Sequence, residues 1–164
     1  MLHLLDANVL ITANNSYYAL DRVPEFWEWL ADVGGRGNAK LPVEIYEEIK
    51  DGNDALAVWV RDPVNRNALL LDEEADPQIV ARVIEHGYAV DLSDVEVEKI
   101  GRDPFLIAYA LADKDRCVVT TEVSKPTAIR ANRRIPDVCM GLGVKCKDTF
   151  TFLKALNFTT SWRP

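Results

Sequence analysis

Four acidic residues stand where an α/β chain can do chemistry. Asp6 directly follows the apolar run Leu2–Leu5, and Glu122 follows Cys117–Thr120 after Thr121. Ligands of an open α/β sheet bind beyond the carboxyl ends of its strands, so both carboxylates are placed for a site. Asp103 opens the apolar stretch that leads into the second of these strands. An Asp before Pro is a standard helix cap, and one carboxylate oxygen can cap while the other faces a metal. Glu48 lies in a helical segment where Tyr46 and Ile49 should point inward, with Glu44 one turn earlier on a similar face. Taken alone, each glutamate of that segment reads as a surface residue.

The elements that must position these residues follow from the apolar pattern. Leu2–Leu5 is a continuous apolar run, as expected of a strand covered on both faces. Pro24 opens a helix with Phe26, Trp27, Leu30 and Val33 at helical spacing, closed by Gly34-Gly35. Residues 39–42 form a second strand, followed by a helix over 43–50 with a stop at Gly52. Further helices are expected over 55–60, 77–86 and near 151–156, and short strands over 69–71, 117–120 and 143–146. Asp103 begins the strongest helical signal, apolar nearly all round to Ala112 and therefore buried. Short apolar strands alternating with helices predict an α/β fold with a mainly parallel sheet.

The 164 residues suit one domain, expected over 1–158, with 159–164 as a flexible tail. At 48% hydrophobic and 27% charged, the composition excludes disordered, collagen-like and disulfide-framework chains. The longest uncharged run, Ala7–Leu20, is 14 residues and holds three Asn, too short and polar to span a bilayer. The first residues lack the basic start of a secretory signal, and Cys117, Cys139 and Cys146 form no CxxC pair. A cytoplasmic protein with reduced thiols is expected. The net charge of −7 is unevenly shared. Residues 1–115 carry 10 Lys and Arg against 23 Asp and Glu, whereas residues 116–164 carry 9 against 3. A local positive surface can therefore exist on an acidic body.

Read together, the acidic segments resemble PIN-domain nucleases. Leu4-Leu5-Asp6-Ala7-Asn8-Val9-Leu10-Ile11 is similar to their opening strand and first acidic motif. The segment Pro42–Ile49 is similar to their glutamate-bearing helix, with Glu48 at the matching position. Asp103-Pro104-Phe105-Leu106-Ile107-Ala108-Tyr109-Ala110 and Val118-Val119-Thr120-Thr121-Glu122 resemble the later helix and strand end. Lys125-Pro126 and Ile135-Pro136-Asp137-Val138-Cys139 resemble a PIN-like family known as DUF4411. The likeness covers about residues 2–156. It implies a three-layer α/β/α sandwich, a Mg²⁺ or Mn²⁺ site, and cleavage of single-stranded RNA, often as the toxin of a toxin–antitoxin pair.

On that resemblance Asp6 and Asp103 are the principal ligands, Glu48 is a ligand or orients water, and Glu122 is an outer ligand. Many relatives have Asp or Asn where Glu122 stands. Asn8 and Thr120 would hold this shell in place. Carboxylates gathered in one crevice raise one another's pKa unless a cation compensates, and hard oxygen ligands suit Mg²⁺ or Mn²⁺. Lys125, Arg130, Arg133 and Arg134 come soon after Glu122 and would line a rim that binds the RNA backbone. The expected partners are RNA and a cognate antitoxin protein, with a homodimer also open and no membrane. Tyr17, Tyr18, Trp27 and Trp29 fit either core packing or such an interface.

Two other classes stay open. In a haloacid-dehalogenase-like phosphatase, Asp6 would be a covalent nucleophile, yet position 8 is Asn rather than the second Asp such enzymes carry. A catalytically silent interaction module would keep the fold without turnover.

Overall fold

The computed structural model describes residues 1–163. Its centre is a four-stranded, all-parallel sheet in the order β2-β1-β3-β4, where β1 is Leu2–Leu5, β2 Ala39–Lys40, β3 Arg116–Val119 and β4 Lys145–Lys147. Helices cover both faces, giving a three-layer α/β/α sandwich, as the sequence predicts. The central strands show the burial this requires: Leu4, Leu5, Val118 and Val119 are each 0% exposed. Both edges of the sheet are short. The outer one carries Lys145 and Lys147, a charge pattern that discourages pairing with another chain.

In chain order the helices are α1 (Ala7–Thr12), α2 (Pro24–Gly35), α3 (Val43–Lys50), α4 (Ala55–Arg61), α5 (Pro63–Leu69), α6 (Pro77–Val83), α7 (Asp94–Ile100), α8 (Asp103–Leu111), α9 (Ile135–Leu142) and α10 (Thr149–Ala155). Helices α1 and α6 each run on into one wide π-type turn, Ala13–Tyr17 and Ile84–Tyr88. The strand expected over 69–71 is a single parallel bridge, Leu41 to Leu70, because α5 continues through Leu69. The strand expected at 143–146 begins later, since Gly143 takes a left-handed conformation (φ 71°) that ends α9.

The aromatic residues of α2 belong to the core. Phe26, Trp27 and Trp29 are at most 2% exposed, and Trp27 Nε1 donates to the Tyr18 carbonyl at 2.7 Å. Tyr18 stacks on Phe26, with ring centres 4.6 Å apart. Each such ring withdraws about 150–250 Å² from water, so this cluster anchors one side of the sandwich. Part of the tail expected to be flexible is held against it: Trp162 Nε1 donates to the Glu25 carbonyl at 3.0 Å, and Arg163 pairs with Glu28. Pro164 lies outside the described residues. No helix among the described residues is long and apolar enough to cross a membrane.

Candidate active site

The sheet order decides where a ligand can enter. After β1 the chain moves to β2 on one side, and β3 later pairs on the other. The carboxyl ends of β1 and β3 therefore frame the crevice at a topological switch point. The register pairs Leu5 with Val119, which sets Asp6 beside Thr120. Thr120 Oγ1 donates to Asp6 Oδ2 at 2.7 Å and accepts the Glu122 amide N–H at 3.1 Å. One buried hydroxyl thus ties both acidic residues to the strand ends.

Asp6 is 4% exposed and also caps α1, its Oδ1 accepting the Asn8 amide at 3.5 Å. Burial pushes its carboxyl above the usual range, opposed by the hydrogen bonds from Thr120 and Asn8 and reinforced by the charges of Glu122 and Glu48. Asn8 contributes its backbone only; its side chain is exposed. Asp103 is half-buried at the first position of α8, and the capping position belongs to Arg102, which offers no side-chain cap. The capping role expected of Asp103 is therefore absent, and its carboxylate is left to the crevice. Burial pushes Asp103 up to about 8, with further upward pressure from Asp6, Glu122 and Glu48 and relief from Arg134. The protein groups around it favour the protonated acid at neutral pH.

Glu48 is exposed on α3, yet its charge bears on both Asp6 and Asp103. Glu44, the other residue considered for this place, bears instead on Tyr109, and its Oε2 is buried with no hydrogen-bond partner. Glu122 is already occupied: Oε2 accepts the Ile135 amide at 2.7 Å at the start of α9, and Oε1 pairs with Arg134 at 3.3 Å. A carboxylate at a helix N-terminus is stabilised by the amides and dipole it faces.

A cleft of ≈ 460 Å³ opens beside these groups, lined by Asp103 and Glu122 together with Lys99, Lys125, Arg133 and Arg134. The four cationic residues expected on this rim divide. Lys125 and Arg134 line the cleft and are exposed. Arg130 is turned away into a bidentate pair with Glu96 and a contact with Asp91 at 2.8 Å. Arg133 lines the cleft but donates to the Gly87 and Asp137 carbonyls, so it works as a strut.

Three contributors have no counterpart in the sequence reading of the site. Lys99 donates to Asn132 at 2.5 Å along the rim. Asp137, 4% exposed, accepts from the Ser124 hydroxyl at 2.5 Å and the Lys125 amide at 2.7 Å, clamping the loop that carries the basic wall. Its position within Ile135–Cys139 was visible, but nothing there marks an acid that turns inward. Tyr88, whose buried hydroxyl feels the charges of Asp103 and Glu122, is marked by no local pattern in the sequence.

Among the described residues, no three His, Cys, Asp or Glu side chains form a ready cage for a metal ion. The donor chemistry still fits a hard cation: Asp6 and Asp103 offer only oxygen, are withdrawn from solvent, and repel each other. Mg²⁺ is commonly held through one or two carboxylates plus waters rather than by a full protein cage.

Residues 3–160 match the family model described as a domain of unknown function, DUF4411. The chain belongs to this family. No curated protein and no solved structure matches it. All of the candidate site residues considered above fall within the matched span.

Proposed function

We propose that this DUF4411 protein is a PIN-like, Mg²⁺- or Mn²⁺-dependent endoribonuclease that hydrolyses phosphodiester bonds of single-stranded RNA. The observation that carries this reading is the Asp6–Asp103 pair at the switch point. Asp103 is pushed to about 8 by burial and by three neighbouring carboxylates, on a cleft that Lys99, Lys125, Arg133 and Arg134 also line. Such an arrangement is unfavourable by itself and becomes favourable when a cation and a phosphate arrive together.

Asp6 and Asp103 would hold the ion, with Glu48 free to turn in from α3. When bound, the ion would lower the pKa of a coordinated water and stabilise charge developing on the phosphate. Thr120 fixes the orientation of Asp6, and Glu122 fixes the start of α9 together with Arg134. Lys125 and Arg134 would receive the RNA backbone by displacing counterions. The same likeness makes a toxin role, with a cognate antitoxin protein as partner, part of the proposal. A cytoplasmic setting accords with the three unbonded thiols.

The engagement of both Glu122 oxygens favours the silent interaction module as the second reading. Incubating purified protein with mixed RNA in Mg²⁺, in Mn²⁺ and in chelator, beside the Asp6→Asn variant, separates the two. The nuclease cleaves only with metal and loses cleavage in the variant by at least about a hundredfold, as expected for loss of a group stabilising charge in the reaction. Cleavage that survives both chelator and Asp6→Asn contradicts the proposal, and absence of cleavage throughout favours the silent module.

A further inference from the structure

The cleft that Asp103 and Glu122 share offers more than a phosphate needs. Its volume of ≈ 460 Å³ lies within the range of about 300–1,000 Å³ typical of small-molecule sites. Besides the charged groups it is lined by Ile100, Ala128, Ile129 and Ala131. Ile100 and Ala131 are buried, while Ile129 is 68% exposed and leaves an aliphatic surface open in the cleft. A sugar–phosphate backbone has no use for such a surface. A flat nucleobase does, and single-stranded RNA is read by splaying its bases out into sites of this kind.

The polar groups beside that surface are oriented in one sense. Lys99 Nζ donates to Asn132 Oδ1 at 2.5 Å, and both residues line the cleft. An ammonium only donates, so the atom facing it is the amide oxygen, and the Asn132 NH₂ group is left to donate. The segment carrying Asn132 is pinned as well. Its backbone N–H donates to the Ile129 carbonyl at 3.1 Å. Arg130, between the two, has a left-handed backbone (φ 53°), rare for a residue with a side chain, and is fastened by Glu96 and Asp91. Such conformations persist only where the surroundings hold them, and they gather at ligand clamps.

We propose that this cleft is a nucleobase subsite next to the scissile phosphate, selective for guanine, with Asn132 as the specificity-determining residue and Lys99 as its partner. The phosphate's place rests on the nuclease reading above; the base's place rests on the cavity that Asn132 shares with Asp103 and Glu122. Guanine offers two adjacent acceptors, O6 and N7, on one edge, which suits the Asn132 NH₂ group and the Lys99 ammonium. Adenine and cytosine put an amino group on that edge, donor against donor, and uracil offers a single acceptor there.

The test measures binding of GMP, AMP, CMP and UMP to the purified protein in chelator by NMR titration, and maps the RNA ends left by cleavage in Mg²⁺. GMP should bind about tenfold tighter than AMP, the scale expected of two hydrogen bonds to a base edge. Asn132→Ala should abolish that ratio. So should Asn132→Asp, which keeps an acceptor for Lys99 and replaces the donor by a second acceptor. Asn132 is exposed, so both variants should melt with wild type, and the wild-type ratio is decisive without them. Cleaved ends should carry or adjoin guanine. Equal binding of the four nucleotides, binding of none, a GMP preference that survives both variants, or ends without base preference overturns the inference; metal-dependent cleavage would still leave the nuclease standing. A GMP preference in a protein that cleaves no RNA with either metal supports the subsite and removes the nuclease reading instead.

Discussion

Asp103 is a carboxylic acid whose own neighbours oppose its ionisation, and that has a consequence for stability. Folding raises its pKa from 3.8 to about 8, so the native state holds the proton more tightly than the unfolded chain. The stability it contributes is fully present below 3.8 and is lost as pH rises through about 8. Asp6, also raised, adds in the same direction. In chelator, the unfolding free energy should therefore decline from about pH 5 to about pH 8, by on the order of 2 kcal/mol after solvent screening. Asp103→Asn should flatten that decline and be the more stable protein at about pH 8; urea denaturation across this range checks both. A wild-type curve that rises over the same range would contradict the assigned environment. Thr120 acts at this scale too, since its one hydroxyl serves Asp6 and the Glu122 amide.

The elements explain why part of the site could be read in the sequence and part could not. Leu2–Leu5 and Cys117–Val119 are continuous apolar runs, and strands buried on both faces leave few other interpretations. Asp6 and Thr120 sit immediately after them, so the part of the site at the strand ends was legible. Helix α7 was missed although Ser93 and Glu96 form a complete capping box, because its apolar residues are two exposed valines and Ile100. The partners of Arg130 were missed with it, since Asp91 lies just before that helix and Glu96 within it.

Gly87 and Tyr88 could not be read, because their meaning depends on contact with α9, some 50 residues on in the chain. That contact gives an element-scale prediction. Gly87→Ala would drive a Cβ against Val138, which is 0% exposed and, being β-branched, has no easy rotamer to retreat into. The expected cost is about 1–3 kcal/mol in urea unfolding, the range for overpacking a core. No loss of stability would show that α9 and the turn are not so tightly joined.

Over the whole molecule, the division of charge foreseen from the sequence proves uneven in use. The C-terminal third is basic, but Arg130 and Arg133 are spent on holding the fold, which leaves Lys125 and Arg134 exposed at the cleft. An RNA strand crossing this face would meet those two first. Changing both to Ala should lower the slope of log affinity against log salt by about 1.4, at ~0.7 per phosphate contact on a single strand. Changing Arg130 should leave the slope unaltered and reduce stability instead; binding titrations with an oligoribonucleotide at several salt concentrations distinguish the two. The sandwich gives this surface its place, because the cleft is lined by segments that follow β3 or lead into it.

The claim on which the account turns is that Asp6 and Asp103 converge on one divalent ion. A crystal soaked in Mn²⁺ above pH 8 and measured for anomalous scattering tests it most directly. The account predicts an anomalous peak within reach of both carboxylates; Mn²⁺ bound elsewhere on the protein, with none at Asp6 and Asp103, would contradict it.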